Sequence, residues 1–409
     1  MKQYLKRIIG LAGITLNLAL SSAYAQQHTM TMSDNKAPLF VGAAFAPNGD
    51  LWMVQQNEQA RLVLQVSKDD GKNWLKPRVL DTGADTIKTS GEANPKILFG
   101  PNGVVIISYA QAFAKRFTGE IRLLRSTDAG VTFAAPITAH QDRQIIGHSF
   151  ASMAFDGKGA LHTVWLDSRD MSLAKAAAEK AGASKPDYRG SAVYHNVSAD
   201  GGATFGPDTK LADYSCECCR IALSATPDGE IATLWRQITA PNIRDHGFAI
   251  LRDADVDTAL DTKPVRATFD NWAIDACPHH GPSLSMAASS GYHAVWFGMR
   301  AGVAQVSYGK LNPSGYPIGT VQALPDERAE HAEHADILSS GKKLAVVWRS
   351  FDGSAMNMKA YLSEDDGQHF TLTQLARTEG DSDYPRLLRK GDELFVIWNT
   401  KEKRYVQAL

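Results

Sequence analysis

Short stretches in which apolar and polar residues alternate recur along the chain, among them Leu62 to Val66, Ile121 to Arg125 and Ala192 to Val197. A period of two predicts strands with one buried face. A second unit repeats with them: a glycine at a hairpin tip, then an apolar strand that carries an aromatic residue about six positions on. The glycines are Gly49, Gly103, Gly159, Gly229, Gly291, Gly341 and Gly391, and the aromatics from the second unit onward are Tyr109, Trp165, Trp235, Trp296, Trp348 and Trp398. Evenly spaced strands with turn signals 50 to 70 residues apart predict an all-β propeller of four-stranded blades, seven by this repeat. The last unit has room for only about three strands before Leu409, so its outer strand is expected from the segment ahead of the first blade. One insertion, Ser168 to Arg189, is rich in alanine and lysine and predicts a short helix and loop on the surface.

Four turns share the form Ser-x-Asp-x-Gly-x-x-aromatic: Ser67, Asp69, Gly71 and Trp74; Ser126, Asp128, Gly130 and Phe133; Ser198, Asp200, Gly202 and Phe205; Ser363, Asp365, Gly367 and Phe370. Serine and aspartate side chains that bond nearby amides, with glycine in the strained position, are hairpin chemistry.

Composition adds a compartment and removes some partners. Lys2, Lys6 and Arg7 precede an apolar run from Ile8 to Leu20, and Ala23, Tyr24 and Ala25 give a small-x-small cleavage pattern. Residues 1–25 are therefore expected to be a signal peptide, 26–37 a flexible segment and 38–409 one propeller domain, periplasmic or secreted. No later stretch approaches the roughly 18 apolar residues of a membrane span. A formal net charge of −1 gives no field to gather nucleic acid.

In a propeller the first strand of each blade runs down the central channel, so residues just ahead of these strands gather on one rim. The glycine hairpins and the serine-aspartate turns fall on the other. The rim reads His148 for unit three; Cys216, Glu217, Cys218, Cys219 and Arg220 for unit four; Cys277, His279 and His280 for unit five; His331 and His334 for unit six; Asp383 and Tyr384 for unit seven. Thiolate and imidazole are ligands that zinc and copper take, so Cys216, Cys218, Cys219, Cys277, His279, His280, His331 and His334 are candidate metal ligands. Disulfides are the other reading of four cysteines in an oxidising compartment. His28, Met30 and Met32, in alternation near the start, favour copper over zinc.

The four turns and their period resemble the sialidase superfamily, the aspartate-box or bacterial neuraminidase repeat propellers. That resemblance implies six blades, an arginine triad for a carboxylate, a tyrosine nucleophile with its glutamate, and an aspartate acid/base. Arg236 matches one arginine, Tyr384 the tyrosine and Glu217 the nearest glutamate; Asp167 stands in for the acid/base. The first arginine is absent, because the first inner strand opens Leu39, Phe40 and Val41. Arg169, Arg300 and Arg349 follow second strands as Arg236 does and are further rim candidates. The expectation is an exported sialidase-like propeller whose mouth binds copper for metal handling or a metal-dependent reaction. The alternatives are an exo-sialidase-like glycoside hydrolase on an acidic sugar, and a non-catalytic module that binds a small molecule or glycan with its cysteines in disulfides.

Overall fold

The computed structural model describes residues 39–226, 228–251, 263–325 and 332–409. Seven antiparallel sheets stand in a ring, their strands in sequence order from the channel outward except in blade 2, where Ile87–Lys88 and Lys96–Phe99 both pair with Val105–Ala112, which makes a seven-bladed propeller. The inner strands of blades 1 to 7 are Gly42–Phe45, Lys96–Phe99, His148–Phe155, Ala222–Ala225, Ser283–Met286, Ala332–Ser340 and Arg386–Lys390. The seven blades expected from the glycine repeat are present, one more than the sialidase resemblance implies. Blade 7 has three strands among the described residues. The segment expected to complete it, the cleavable leader, the His28, Met30 and Met32 run and His331 all lie outside those residues.

The repeat glycines have a backbone reason. All seven lie at positive φ, from 56° at Gly341 to 86° at Gly49, a conformation that side chains with a Cβ disfavour. The aromatic six residues later fills a seam between blades. Seven apolar clusters occupy the seven seams. One joins Phe248 of blade 4 to Leu284 and Trp296 of blade 5, and another joins Leu388, Phe395 and Ile397 of blade 7 to Leu51 and Met53 of blade 1. Trp165, Trp235, Trp348 and Trp398 are completely buried. Each blade thus has its core between itself and its neighbour, so the hydrophobic term acts across the seams and closes the ring.

The four serine-aspartate turns use one set of bonds on the far face. The Ser67 hydroxyl donates to Asp69 and accepts from the Gly71 amide at 2.8 Å, while Asp69 accepts from the Asn73 amide. Ser126, Ser198 and Ser363 repeat the arrangement. The insertion in blade 3 forms the helix Arg169–Lys180, the one α-helix among the described residues. It joins the second and third strands and so stands on the same face as the rim. No helix among the described residues is long and apolar enough to cross a membrane.

Candidate active site

The rim residues of blades 2, 4, 5, 6 and 7 converge on one carboxylate, Glu92. Blade 2 positions it by a detour. Ile87–Lys88 pairs with Ala110 and Gln111 of the second strand, the chain turns back at Ser90 and Ala93, and Lys96 rejoins that same strand opposite Ser108. The intervening loop delivers Glu92, only 4% exposed, to the mouth. Its Oε2 accepts the amides of Arg220 at 3.0 Å and Gly281 at 2.9 Å; its Oε1 accepts the Arg220 guanidinium and faces His334 Nδ1, each at 3.1 Å. Burial works against the charge of Glu92, but Arg220, the bond from His334 and the field of Arg386 outweigh it and hold the carboxyl well below the usual range.

His334 is aimed by a break in its strand. The register of the blade 6 inner strand shifts between Glu333 and Asp336, and His334 takes a φ of 49° within that bulge. A bulge is a device that re-aims a side chain. His334 lies flat against Tyr384, with ring centroids 3.4 Å apart, and on its other side against His280 at 4.1 Å, which stacks in turn on Phe297 at 4.2 Å. Burial brings His334 down to about 4 and His280 down to about 3, so both rings are neutral at neutral pH. With Nδ1–H given to Glu92, the Nε2 of His334 is left as a proton acceptor. Burial pushes the Tyr384 phenol up, with Arg349 opposing, so that it stays protonated. Gly91 makes room for this ring, since a Cβ on it would stand inside Tyr384.

Cations surround the stack. Arg349 lies 4.6 Å from the centre of the Tyr384 ring and pairs with Glu333 at 3.1 Å; Arg386 lies 6.0 Å from that centre and donates to the Gly91 carbonyl. Lys96 projects from the blade 2 inner strand, half-buried, and is lowered to about 8 first by desolvation and then by the fields of Arg386 and Arg220. The potential at Lys96 is therefore positive, and an anion placed there relieves it.

The other expected residues divide. Arg236 is fully buried and donates to the carbonyls of His280 and Phe297, so its guanidinium holds the blade 5 loop rather than facing the channel. Glu217 is exposed; the buried carboxylates at the mouth are Glu92 and Asp383 instead, and Asp383 is tied to Asn399. Asp167 is ion-paired with Arg169, which also holds Asp208, while Arg300 lies exposed by Asp270. His148 stacks on His140 and points its Nε2 at Asp142 and Asp167. His279 is exposed, at a φ of 57°. Cys216, Cys218 and Cys219 bring their sulfurs together, while Cys277, exposed, stands outside that group. Among the described residues the sulfur group and the imidazoles do not form one set: the cysteine donor atoms that lie within 4.8 Å of one another include no histidine nitrogen, while His280 and His334 belong to the Tyr384 stack.

Glu92, Lys96 and Arg386 were not among the expected residues. Glu92 and Lys96 obey the same positional rule as the others, being at the lead-in to an inner strand, in unit two.

No family model and no curated protein matches the chain. Solved structures do. A polysaccharide lyase of family PL25, an ulvan lyase bound to -[GlcA(1-4)Rha3S]-, superposes with a TM-score of 0.59 at 11% identity over 92% of this chain and 94% of its own. The GH93 α-L-arabinofuranosidase of Fusarium graminearum with arabinobiose gives 0.51 at 13% identity over 85% and 95%. The α-L-arabinanase of Penicillium chrysogenum with arabinobiose gives 0.50 at 18% identity over 76% and 88%. At these identities the likeness is one of fold, and the chain is a propeller of the kind on which glycoside hydrolases and polysaccharide lyases are built.

Proposed function

We propose that this chain is a carbohydrate-active enzyme that cleaves an acidic polysaccharide at the channel mouth, by elimination at a 4-linked uronate. The observation that carries the reading is the line Glu92, His334, Tyr384 flanked by Lys96, Arg386 and Arg349. Elimination needs the sugar carboxylate neutralised, a base for the proton beside it and an acid for the leaving oxygen. Lys96 and Arg386 supply the first. His334 Nε2, oriented through Nδ1 by Glu92, takes the C5 proton. The electron pair of that bond forms the C4–C5 double bond, the bond from C4 to the glycosidic oxygen breaks, and the Tyr384 hydroxyl protonates the departing oxygen. The neighbouring lyase with a glucuronate-containing ligand supports the substrate class.

Hydrolysis of an acidic sugar with Tyr384 as nucleophile is the second reading. It is favoured by Glu333, which Arg349 holds close enough to act on the phenol's charge. Glu92 suits neither proton-transfer role, because its oxygens are occupied by four contacts and its charge is fixed. The basic, apolar start of the sequence supports action outside the cytoplasm.

The test is incubation with uronate polysaccharides, sulfated and unsulfated, and with a sialoside. The expected result is new ultraviolet absorbance from an unsaturated uronate, lost in Tyr384→Phe. Release of reducing ends without that chromophore supports hydrolysis instead, and no cleavage of any acidic glycan overturns both readings.

A further inference from the structure

The sulfurs of Cys216, Cys218 and Cys219 form a triangle with sides of 3.5, 3.8 and 4.0 Å. All three residues are at most 5% exposed, and Phe150 packs against them. Packing alone does not call for this: a thiol is a weak hydrogen-bonding group, and small apolar side chains fill such a space equally well. At a metal–sulfur distance of about 2.3 Å, a tetrahedral thiolate centre has sulfur–sulfur edges of about 3.8 Å, which the observed sides straddle. A point about 2.3 Å from all three sulfurs lies only about 0.7 Å off their plane and leaves a fourth corner. Cys277, the one remaining cysteine of the chain, is the donor for that corner: its thiol interacts with those of Cys216 and Cys218 while its sulfur stands outside the 4.8 Å group of the other three, so the blade 5 loop closes onto the ion. Several thiolates also need a buried positive charge beside them, and the Arg236 guanidinium acts on both Cys216 and Cys219.

We propose that Cys216, Cys218, Cys219 and Cys277 bind one soft closed-shell cation, Cu(I) or Zn(II), as a thiolate centre that fastens the lead-in loop of blade 4 to that of blade 5. The histidines of the mouth take no part. The same two loops carry the Arg220 and Gly281 amides that grip Glu92, so the centre acts on the mouth by position, at a distance from the reacting atoms. The proposal does not depend on which glycan the mouth takes.

The test uses the full chain, purified without an affinity tag, for elemental analysis. The metal-free reduced chain is then titrated with Co(II). The expected result is a sulfur-to-cobalt charge-transfer band that saturates at one equivalent, protects the thiols from alkylation and is displaced by Zn(II) or Cu(I). Which of the two displaces at the lower concentration, and which the purified chain carries, identifies the ion. Cys277→Ser, at an exposed position, keeps the fold and should weaken cobalt binding by more than the roughly 10–100-fold that loss of an outer-shell partner costs; Cys218→Ser should do the same. A reduced chain that gives no saturable band overturns the proposal, as does a band that survives both changes. A purified chain with no metal and no free thiol also overturns it and assigns the cysteines to disulfides.

Discussion

Tyr384 lies flat on His334, ring centroids 3.4 Å apart and planes within 7° of parallel, although the two residues belong to different blades. The contact couples a protonated phenol to a neutral imidazole whose far nitrogen is held by a fixed carboxylate. Removing either proton-transfer group should lower kcat by about 10²–10⁴, and in Tyr384→Phe the ring stack on His334 stays in place. Tyr384→Phe and His334→Gln, compared by turnover and by near-ultraviolet circular dichroism, check this. Turnover within a few-fold of the parent in both variants excludes the pair from the chemistry.

Glu92 offers a different signature. Its change to Gln leaves Arg220 buried with a neutral partner, and breaking one side of a buried pair costs about 3–5 kcal/mol. Urea unfolding of Glu92→Gln should show that loss together with loss of activity. An undiminished midpoint means that the carboxylate is not the tie between blades 2, 4, 5 and 6 described above.

Lys96 sets a pH dependence. Its ammonium is protonated below about 8 and loses its charge above it, so affinity for an acidic oligosaccharide should be full below pH 7 and fall as pH rises through 8. Lys96→Met should raise KM by about tenfold or more, as loss of a charge-assisted bond worth about 1.5–3 kcal/mol implies, and flatten that dependence. A KM in Lys96→Met that still rises as pH passes through 8 assigns the titration elsewhere.

Gly91 gives a steric test. Gly91→Ala places a methyl inside the Tyr384 ring, and because Gly91 does not sit at positive φ the backbone itself tolerates alanine. The expected outcome is a marked fall in kcat with a small change in thermal midpoint. Equal loss of both points to a packing role alone.

Stability should fall on the acid side of neutrality. Burial lowers His140, His246, His280, His293 and His334 in the folded chain. Groups with depressed folded values bind protons on unfolding, so the stability they contribute is complete above their unfolded value of about 6.5 and is lost as pH falls toward 4 and below. The slope of the urea midpoint against pH between 6.5 and 4 measures this uptake, and a flat profile across that window refutes it.

The fold was largely legible because its punctuation is local. A positive-φ glycine and an aromatic six residues later are sequence-local signals, and each pair marks one blade. The rim was legible too, because topology turns position before an inner strand into position on the mouth: Tyr384, His280, His334 and the cysteines are all found there. What escaped was pairing across the ring. Glu92 sits in an ordinary Gly-Glu-Ala-Asn-Pro loop, and its imidazole partner is 242 positions away. Arg236 looked like a carboxylate clamp because it follows a strand tryptophan. Its neighbours, carbonyls of the next blade, are what turn it inward. Glu217 is the nearest acid in sequence, whereas the buried acid that bonds His334 and Arg220 comes from two blades earlier.

The apolar seams between blades carry a consequence for when activity can arise. Glu92 meets Arg220 and His334 only after blades 2, 4 and 6 face one channel, which requires the seam between blades 7 and 1 to shut. An open arc of blades, however well formed each blade is, holds the pieces of the mouth apart. Turnover in this chain is therefore a readout of circularisation, and a cut anywhere that lets the last seam part should extinguish it at once, with most of the β-structure still in place.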